Sequence, residues 1–188
     1  MFIQTEATPN PATLKFLPGK VVMEKGTADF RDPGEAETSP LASRLFAVPG
    51  VTGIYFGYDF ITVTKSAGEW QHMKPAILGS IMEHFMSGQP VMGGSAATAE
   101  ISDEEGEFFE AGDETIVATI KELLETRVRP AVAQDGGDIT FKGFKDGTVY
   151  LNMKGACSGC PSSTATLKHG VQNLLRHFVP EVQAVEAL

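Results

Sequence analysis

Thr148-Val149-Tyr150-Leu151-Asn152-Met153-Lys154 runs directly into Gly155-Ala156-Cys157-Ser158-Gly159-Cys160-Pro161. The first seven residues alternate, with Val149, Leu151 and Met153 on one side and Tyr150, Asn152 and Lys154 on the other. That is the period of a strand with one buried face. The glycine- and cysteine-bearing loop then gives way at Pro161-Ser162 to a helix. Its apolar positions Leu167, Val171, Leu174, Leu175 and Phe178 fall on one face. The two cysteines of the chain therefore sit where a strand hands over to a helix.

Working outward, Asp146-Gly147 is a hairpin signal, which pairs residues 148–154 with a strand over 139–145. Before it, Asp135-Gly136-Gly137-Asp138 is a turn with two permissive backbone positions. Upstream again, Ile116, Val117, Ile120, Leu123, Leu124 and Val128 recur with helical period. Asp113 is placed to cap that helix, and Pro130 lies near its end. A short last strand is expected over 182–185. The order is α-β-β-α-β, and two helices on one side of a three-stranded sheet would bury both apolar stripes.

The amino-terminal part is a second small α+β unit. Strands are expected over 2–5 and 13–17, around Thr8-Pro9-Asn10-Pro11. Ser39-Pro40 signals a helix start, over 41–48. A hairpin over 53–58 and 60–64 turns at Asp59, and a helix over 74–86 carries Ile77, Ile81 and Phe85 on one stripe. The fold expected is α+β: two small domains, 1–86 and 113–188, joined by a flexible acidic linker, 87–112. That linker holds six acids (Glu100, Asp103, Glu104, Glu105, Glu107 and Glu110) and no base, and it supplies most of the formal charge of −9. Small, polar and acidic residues cannot bury enough apolar surface to offset chain entropy. Phe108-Phe109 is the exception, an apolar pair expected to rest on a neighbouring domain.

The negative charge argues against nucleic acid as a partner, since binding there rests on neutralising phosphates. No apolar run approaches the ~18–20 residues that span a bilayer, so no membrane association is expected. The first residues, Met1-Phe2-Ile3-Gln4-Thr5-Glu6, lack the regions of a signal peptide. A soluble, non-secreted protein is expected, in the cytoplasm of a bacterium or in the mitochondrial matrix after loss of a presequence. Two cysteines make no disulfide framework, and a close pair in a reducing compartment reads as a metal or redox site.

Cys157 and Cys160 lie near a helix N-terminus, where the dipole and free N–H groups favour a thiolate. Three chemistries use such a pair. A thiol–disulfide oxidoreductase would use Cys157 as nucleophile. The chain offers no βαβ unit before the pair and no aromatic residue in front of Cys157. A zinc site needs four closed ligands. His169, nine residues beyond Cys160, is expected to be a solvated helix residue, so zinc would have to bridge two chains. An iron–sulfur cluster needs about four thiolates, so two chains would again share it. A cluster held by two ligands per subunit is open to ligand exchange, which suits a carrier.

The stretch Ile120-Lys121-Glu122-Leu123-Leu124, then Arg129-Pro130, Asp135-Gly136-Gly137-Asp138, and Gly155-Ala156-Cys157-Ser158-Gly159-Cys160-Pro161-Ser162-Ser163 with Thr166-Leu167-Lys168 closely resembles the C-terminal domain of the NifU, or Nfu, family. Met1-Phe2-Ile3-Gln4-Thr5, Thr8-Pro9-Asn10-Pro11, Leu14-Lys15-Phe16, Pro18-Gly19 and Phe60-Ile61-Thr62-Val63-Thr64-Lys65 resemble the N-terminal domain of its mitochondrial and α-proteobacterial members. The resemblance implies a non-enzymatic carrier of a 4Fe–4S cluster, with 2Fe–2S as the alternative. The cluster would be held between two subunits by Cys157 and Cys160. The partners implied are an upstream scaffold and apo iron–sulfur client proteins, and the loaded form would be a homodimer. Ser158, Ser162 and Ser163 can donate to cluster sulfurs, but capping the helix is their plainer role.

Overall fold

A computed structural model describes residues 1–93, 106–158 and 161–188, and the chain divides into two units, Met1–Glu100 and Ile101–Leu188. In the first, strands β1 (Gln4–Ala7), β2 (Thr13–Leu17), β3 (Ala28–Phe30), β4 (Val51–Phe56) and β5 (Ile61–Lys65) form an antiparallel sheet in the order β1-β2-β5-β4-β3. Helices α1 (Pro40–Phe46) and α2 (Trp70–Ser87) bury Leu41, Leu45, Ile77 and Ile81 against Phe16, Ile54, Phe56, Ile61 and Val63.

Ser39 caps α1 as expected, its hydroxyl accepting from the Ala42 N–H at 3.1 Å with Pro40 next in line. Helix α2 starts four residues earlier than its stripe suggested. Pro75 sits in its second turn and withholds one N–H there, yet the helix runs through it. The buried stripe of α2 then turns at His84, fully enclosed, while Phe85 is only half-buried. Burial, and then the Arg44 charge, lower the pKa of His84. The strand β3 was not expected. Three residues flanked by Gly26-Thr27 and Arg31-Asp32 carry too short a pattern to read, and only the pairing of Ala28, Asp29 and Phe30 with β4 defines it.

The second unit has the expected α-β-β-α-β order. Helix α3 (Glu114–Leu123) passes through one π turn, Leu124–Val128, into α4 (Arg129–Gln134). Strands β6 (Gly137–Lys145) and β7 (Thr148–Gly155) are antiparallel, α5 (Pro161–Phe178) follows, and β8 (Ala184–Ala187) lies parallel to β7. The sheet order is β6-β7-β8. Val149, Leu151 and Met153 are buried with Ile120, Leu124, Val132, Val171 and Leu175. The Asp146-Gly147 turn has positive φ at both residues (51° and 77°), the primed geometry that matches strand twist.

One local expectation fails. Asp113 makes no side-chain cap to α3; a short turn, Ala111–Asp113, precedes the helix and already gives Asp113 helical neighbours. Pro130 lies near the helix end as expected, with four residues of α4 still to follow it. The Arg129 N–H reaches back to the Leu124 carbonyl, a π-type bond that makes room for the proline ring.

The flanks of the expected linker are attached to their own units. The Gly93 N–H donates to Thr38 O at 2.8 Å, and Val91 and Met92 pack on the first core. Phe108 pairs in parallel with Gly143 on the outer edge of β6, donating to Lys142 O and accepting from the Phe144 N–H at 2.8 Å. Its ring fills the place where Gly143 lacks a side chain and meets Tyr150 at 5.1 Å between centroids. Glu107 binds Lys121 at 2.6 Å. The expected flexibility of 94–105, with Glu100, Asp103, Glu104 and Glu105, lies outside the described residues.

Candidate metal centre

Strand β7 ends at Gly155, whose φ of +65° turns the chain out of the ladder and toward α5. Cys157 comes two residues later. The turn is tied down at each step: Ser158 returns both its N–H and its hydroxyl to Gly155 O, at 3.1 and 2.9 Å. The Thr164 hydroxyl in the first turn of α5 donates to Cys157 O at 3.0 Å. Ser158 is therefore committed to its own turn. Cys160 lies outside the described residues, as does the side chain of Ser163.

The other wall is the α4–β6 turn. Asp135 and Gly136 close α4 through bonds to Val132 O and Ala133 O, with Gly136 at φ +79°. Gly136 O accepts from the Ala156 N–H at 3.2 Å. Gly137 pairs with Gly155 across the hairpin. A Cβ on Gly137 would stand 2.5 Å from Cys157 Sγ and 2.8 Å from Lys154 O. The thiol therefore occupies the volume that this glycine leaves open. Asp138 is next, 5% exposed, and Arg129 grips it with two parallel bonds, Nε–Oδ1 and Nη2–Oδ2, both 2.9 Å. Arg129 also binds Glu125 one turn back. The Asp138 carboxylate accepts from the Ile139 N–H as well, at 2.8 Å.

This placement corrects one expectation. Cys157 is 7% exposed and belongs to the core cluster. Burial pushes its thiol up to about 12, and the Asp135 and Asp138 carboxylates act in the same direction. The helix N-terminus was expected to lower it; desolvation outweighs that in the metal-free fold. The sulfur is thus a neutral thiol at pH 7, ill suited to attack a disulfide. Among the described residues, no three His, Cys, Asp or Glu side chains come together to hold a metal ion. His169 is exposed on α5. No helix among the described residues is long and apolar enough to cross a membrane.

The sequence identified Cys157 but missed Gly137 and Asp138 as its neighbours, and Arg129 as the partner of Asp138. Residues 3–88 match the family described as scaffold protein Nfu/NifU N terminal, and residues 120–186 match the NifU-like domain. The mitochondrial NFU1 iron-sulfur cluster scaffold homolog of Homo sapiens is 50% identical, over 99% of this chain and 71% of that protein. Its namesake in Drosophila sechellia is 52% identical, over 99% of this chain and 64% of that protein, so the chain spans less than two thirds of that relative. A NifU-like protein from Saccharomyces cerevisiae, solved by solution NMR, shares 29% identity over 49% of this chain and 84% of its own, with a TM-score of 0.44.

Proposed function

Since the chain belongs to the Nfu/NifU family of iron–sulfur cluster scaffold proteins, we propose that it receives a 4Fe–4S cluster, holds it between two subunits, and delivers it to apo-proteins. The observation that carries this reading is the Cys157-Ser158-Gly159-Cys160 pair at the β7–α5 junction of the matched NifU-like domain. A cluster takes about four thiolates, and the chain has two cysteines. With no third metal-ligating group gathered among the described residues, a second chain is the natural source of the other half. The cluster is cargo, and the chain's own part in the exchange is ligand supply. Cys157 gives up its proton as its sulfur takes iron, and regains it when an incoming client thiolate displaces it. Residues 94–105 would act as the tether between the two units. The relatives' compartment and the cysteine pair fit a reducing interior, the mitochondrial matrix or bacterial cytoplasm.

Anaerobic reconstitution tests the reading. Loaded protein should be brown, with roughly four iron per dimer, and should sediment as a dimer where the metal-free chain is a monomer, because metal binding supplies the association energy. Cys157→Ala and Cys160→Ala should each abolish stable loading. A full complement of cluster in either single variant would sink the shared-ligand scheme. Uptake of one zinc per dimer, with no visible absorption on reconstitution, would point to the zinc-bridged module instead.

A further inference from the structure

We propose that Arg129, acting through Asp138, is a positioning residue for Cys157: the bidentate pair pins the turn whose glycine leaves the seat for the thiol. Four observations converge on it. Arg129 and Asp138 meet through two bonds of 2.9 Å, on a carboxylate that is almost wholly buried. Asp138 is the residue after Gly137, and the seat at Gly137 exists only while that backbone stays close to Cys157 Sγ. Gly136 O holds the Ala156 N–H at 3.2 Å, so the same turn also fixes the residue before Cys157. The π turn Leu124–Val128 ends at Arg129. It adds a residue to the helix and so shifts the angle at which all later side chains leave the axis. That device puts Arg129 over the start of β6.

An Arg–carboxylate fork fixes two planes relative to each other, which a single point charge does not. Helix α4 and the first residues of β6 are thereby joined beside the cysteine loop. Without the fork, the turn at 135–138 can open locally while the rest of β6 and β7 stays paired. The thiol would then leave its seat more often. On the reading of Cys157 as a cluster ligand, Arg129 sets where that ligand rests between loads. The inference needs that reading for its functional meaning, but the test below does not.

The test is the rate at which iodoacetamide alkylates Cys157 in the metal-free full-length chain, followed by peptide mapping so that Cys160 is scored separately. The variants are Arg129→Gln and, as a control for general destabilisation, Val185→Ala. Val185 lies on β8 beside Val149, at the other end of β7 from Gly155. Losing a charge-assisted fork is expected to raise local opening, and with it Cys157 alkylation, about tenfold or more. Charge alone acts the opposite way. Removing the guanidinium leaves the Asp138 carboxylate near the thiol uncompensated, so less thiolate would form and alkylation would slow. The proposal requires Arg129→Gln to react faster than both the native chain and Val185→Ala, with far-UV circular dichroism unchanged. A native or slower rate, or an equal rise in Val185→Ala, overturns it. If Arg129→Gln does not fold, Arg129→Lys carries the same comparison with the same two criteria. Failure to bind a cluster would refute the proposed function without altering these rates, so the two failures are distinguishable.

Discussion

Gly137→Ala should eject the Cys157 thiol from its seat. The added Cβ would stand 2.5 Å from Sγ, 2.8 Å from the Lys154 carbonyl and 3.1 Å from Cys157 Cβ, where ordinary contact begins near 3.4 Å. The carbonyl belongs to the β6–β7 ladder, opposite Asp138, and cannot retreat without breaking strand pairing. The sulfur is the mobile partner and must move by about 1 Å or rotate away. Overpacking of this kind costs about 1–3 kcal/mol. Lost thiol burial adds about 1 kcal/mol, and the stiffer unfolded chain returns about 0.4–1 kcal/mol. The net expectation is about 1–3 kcal/mol against a domain total of about 5–15 kcal/mol. Urea melts of the metal-free chain measure it. Trp70, the single tryptophan, lies in the first unit and serves as an internal reference. Its fluorescence transition should stay in place, while the second unit, followed by circular dichroism, should shift down by about 1 M urea at an m-value of ~1–3 kcal/mol/M. In a double-mutant cycle with Cys157→Ala the two losses should add to less than their sum, because the nearest clash is with Sγ. An unshifted second transition, or full additivity, would refute the shared-volume argument.

Above pH 9 the metal-free second unit should lose stability that Cys157→Ala retains. A thiol raised from 9.0 to about 12 favours the fold while it is protonated, below its unfolded pKa. That contribution is lost as pH climbs through the folded value, at most about 4 kcal/mol, and the difference between native and variant urea midpoints across pH 8–12 reads it. The first unit should weaken in the opposite direction: a histidine whose folded pKa is lowered leaves the unfolded chain binding more protons below about pH 6.5. The midpoint seen by Trp70 should therefore fall with acidification, and less so in His84→Leu. Phe108→Ala should destabilise the second unit by about 1–2 kcal/mol, since the ring is only partly enclosed over Gly143 and Tyr150. For the same reason residues 106–188 should melt at higher temperature than residues 113–188, and equal melting temperatures would remove the strand pairing at Gly143 from the account.

What the sequence discloses here is local. The alternation of 149–154, the Asp146-Gly147 turn and the Ser39-Pro40 helix start each depend on neighbours within a few residues, and each stands where it was expected. The seat of Cys157 depends on a glycine twenty residues earlier, brought alongside by the hairpin register Gly137↔Gly155. A Gly-Gly pair announces a turn and says nothing of what fills the missing side chain. The Arg129–Asp138 fork was hidden for another reason. It depends on a π turn, and a proline in a helical pattern ordinarily signals an end instead. On α2, spacings of three and four residues both fit a helical stripe; after Ile81 the chain buries His84 by the first, where apolarity alone pointed to Phe85 by the second.

The buried thiol bears on how a carrier lets go. A cysteine that is exposed and ionised before loading would gain iron at little cost and would resist giving it up. Cys157 instead rests neutral and enclosed in the core of its unit, with Asp135 and Asp138 close enough to disfavour its thiolate. On the proposed reading, loading must draw the sulfur from its seat and remove its proton, so part of the iron–thiolate bond energy is spent on that rearrangement. Unloading returns both, because the seat at Gly137 refills and the proton is regained. The net affinity is then set below what two thiolates could give, by an amount tied to how well the seat holds the thiol. On that reading Gly137, Asp138 and Arg129 would be determinants of cluster retention although none of them is read as a ligand. A looser seat, as in Gly137→Ala, would weaken the fold of the second unit while making the loaded cysteine harder to reclaim.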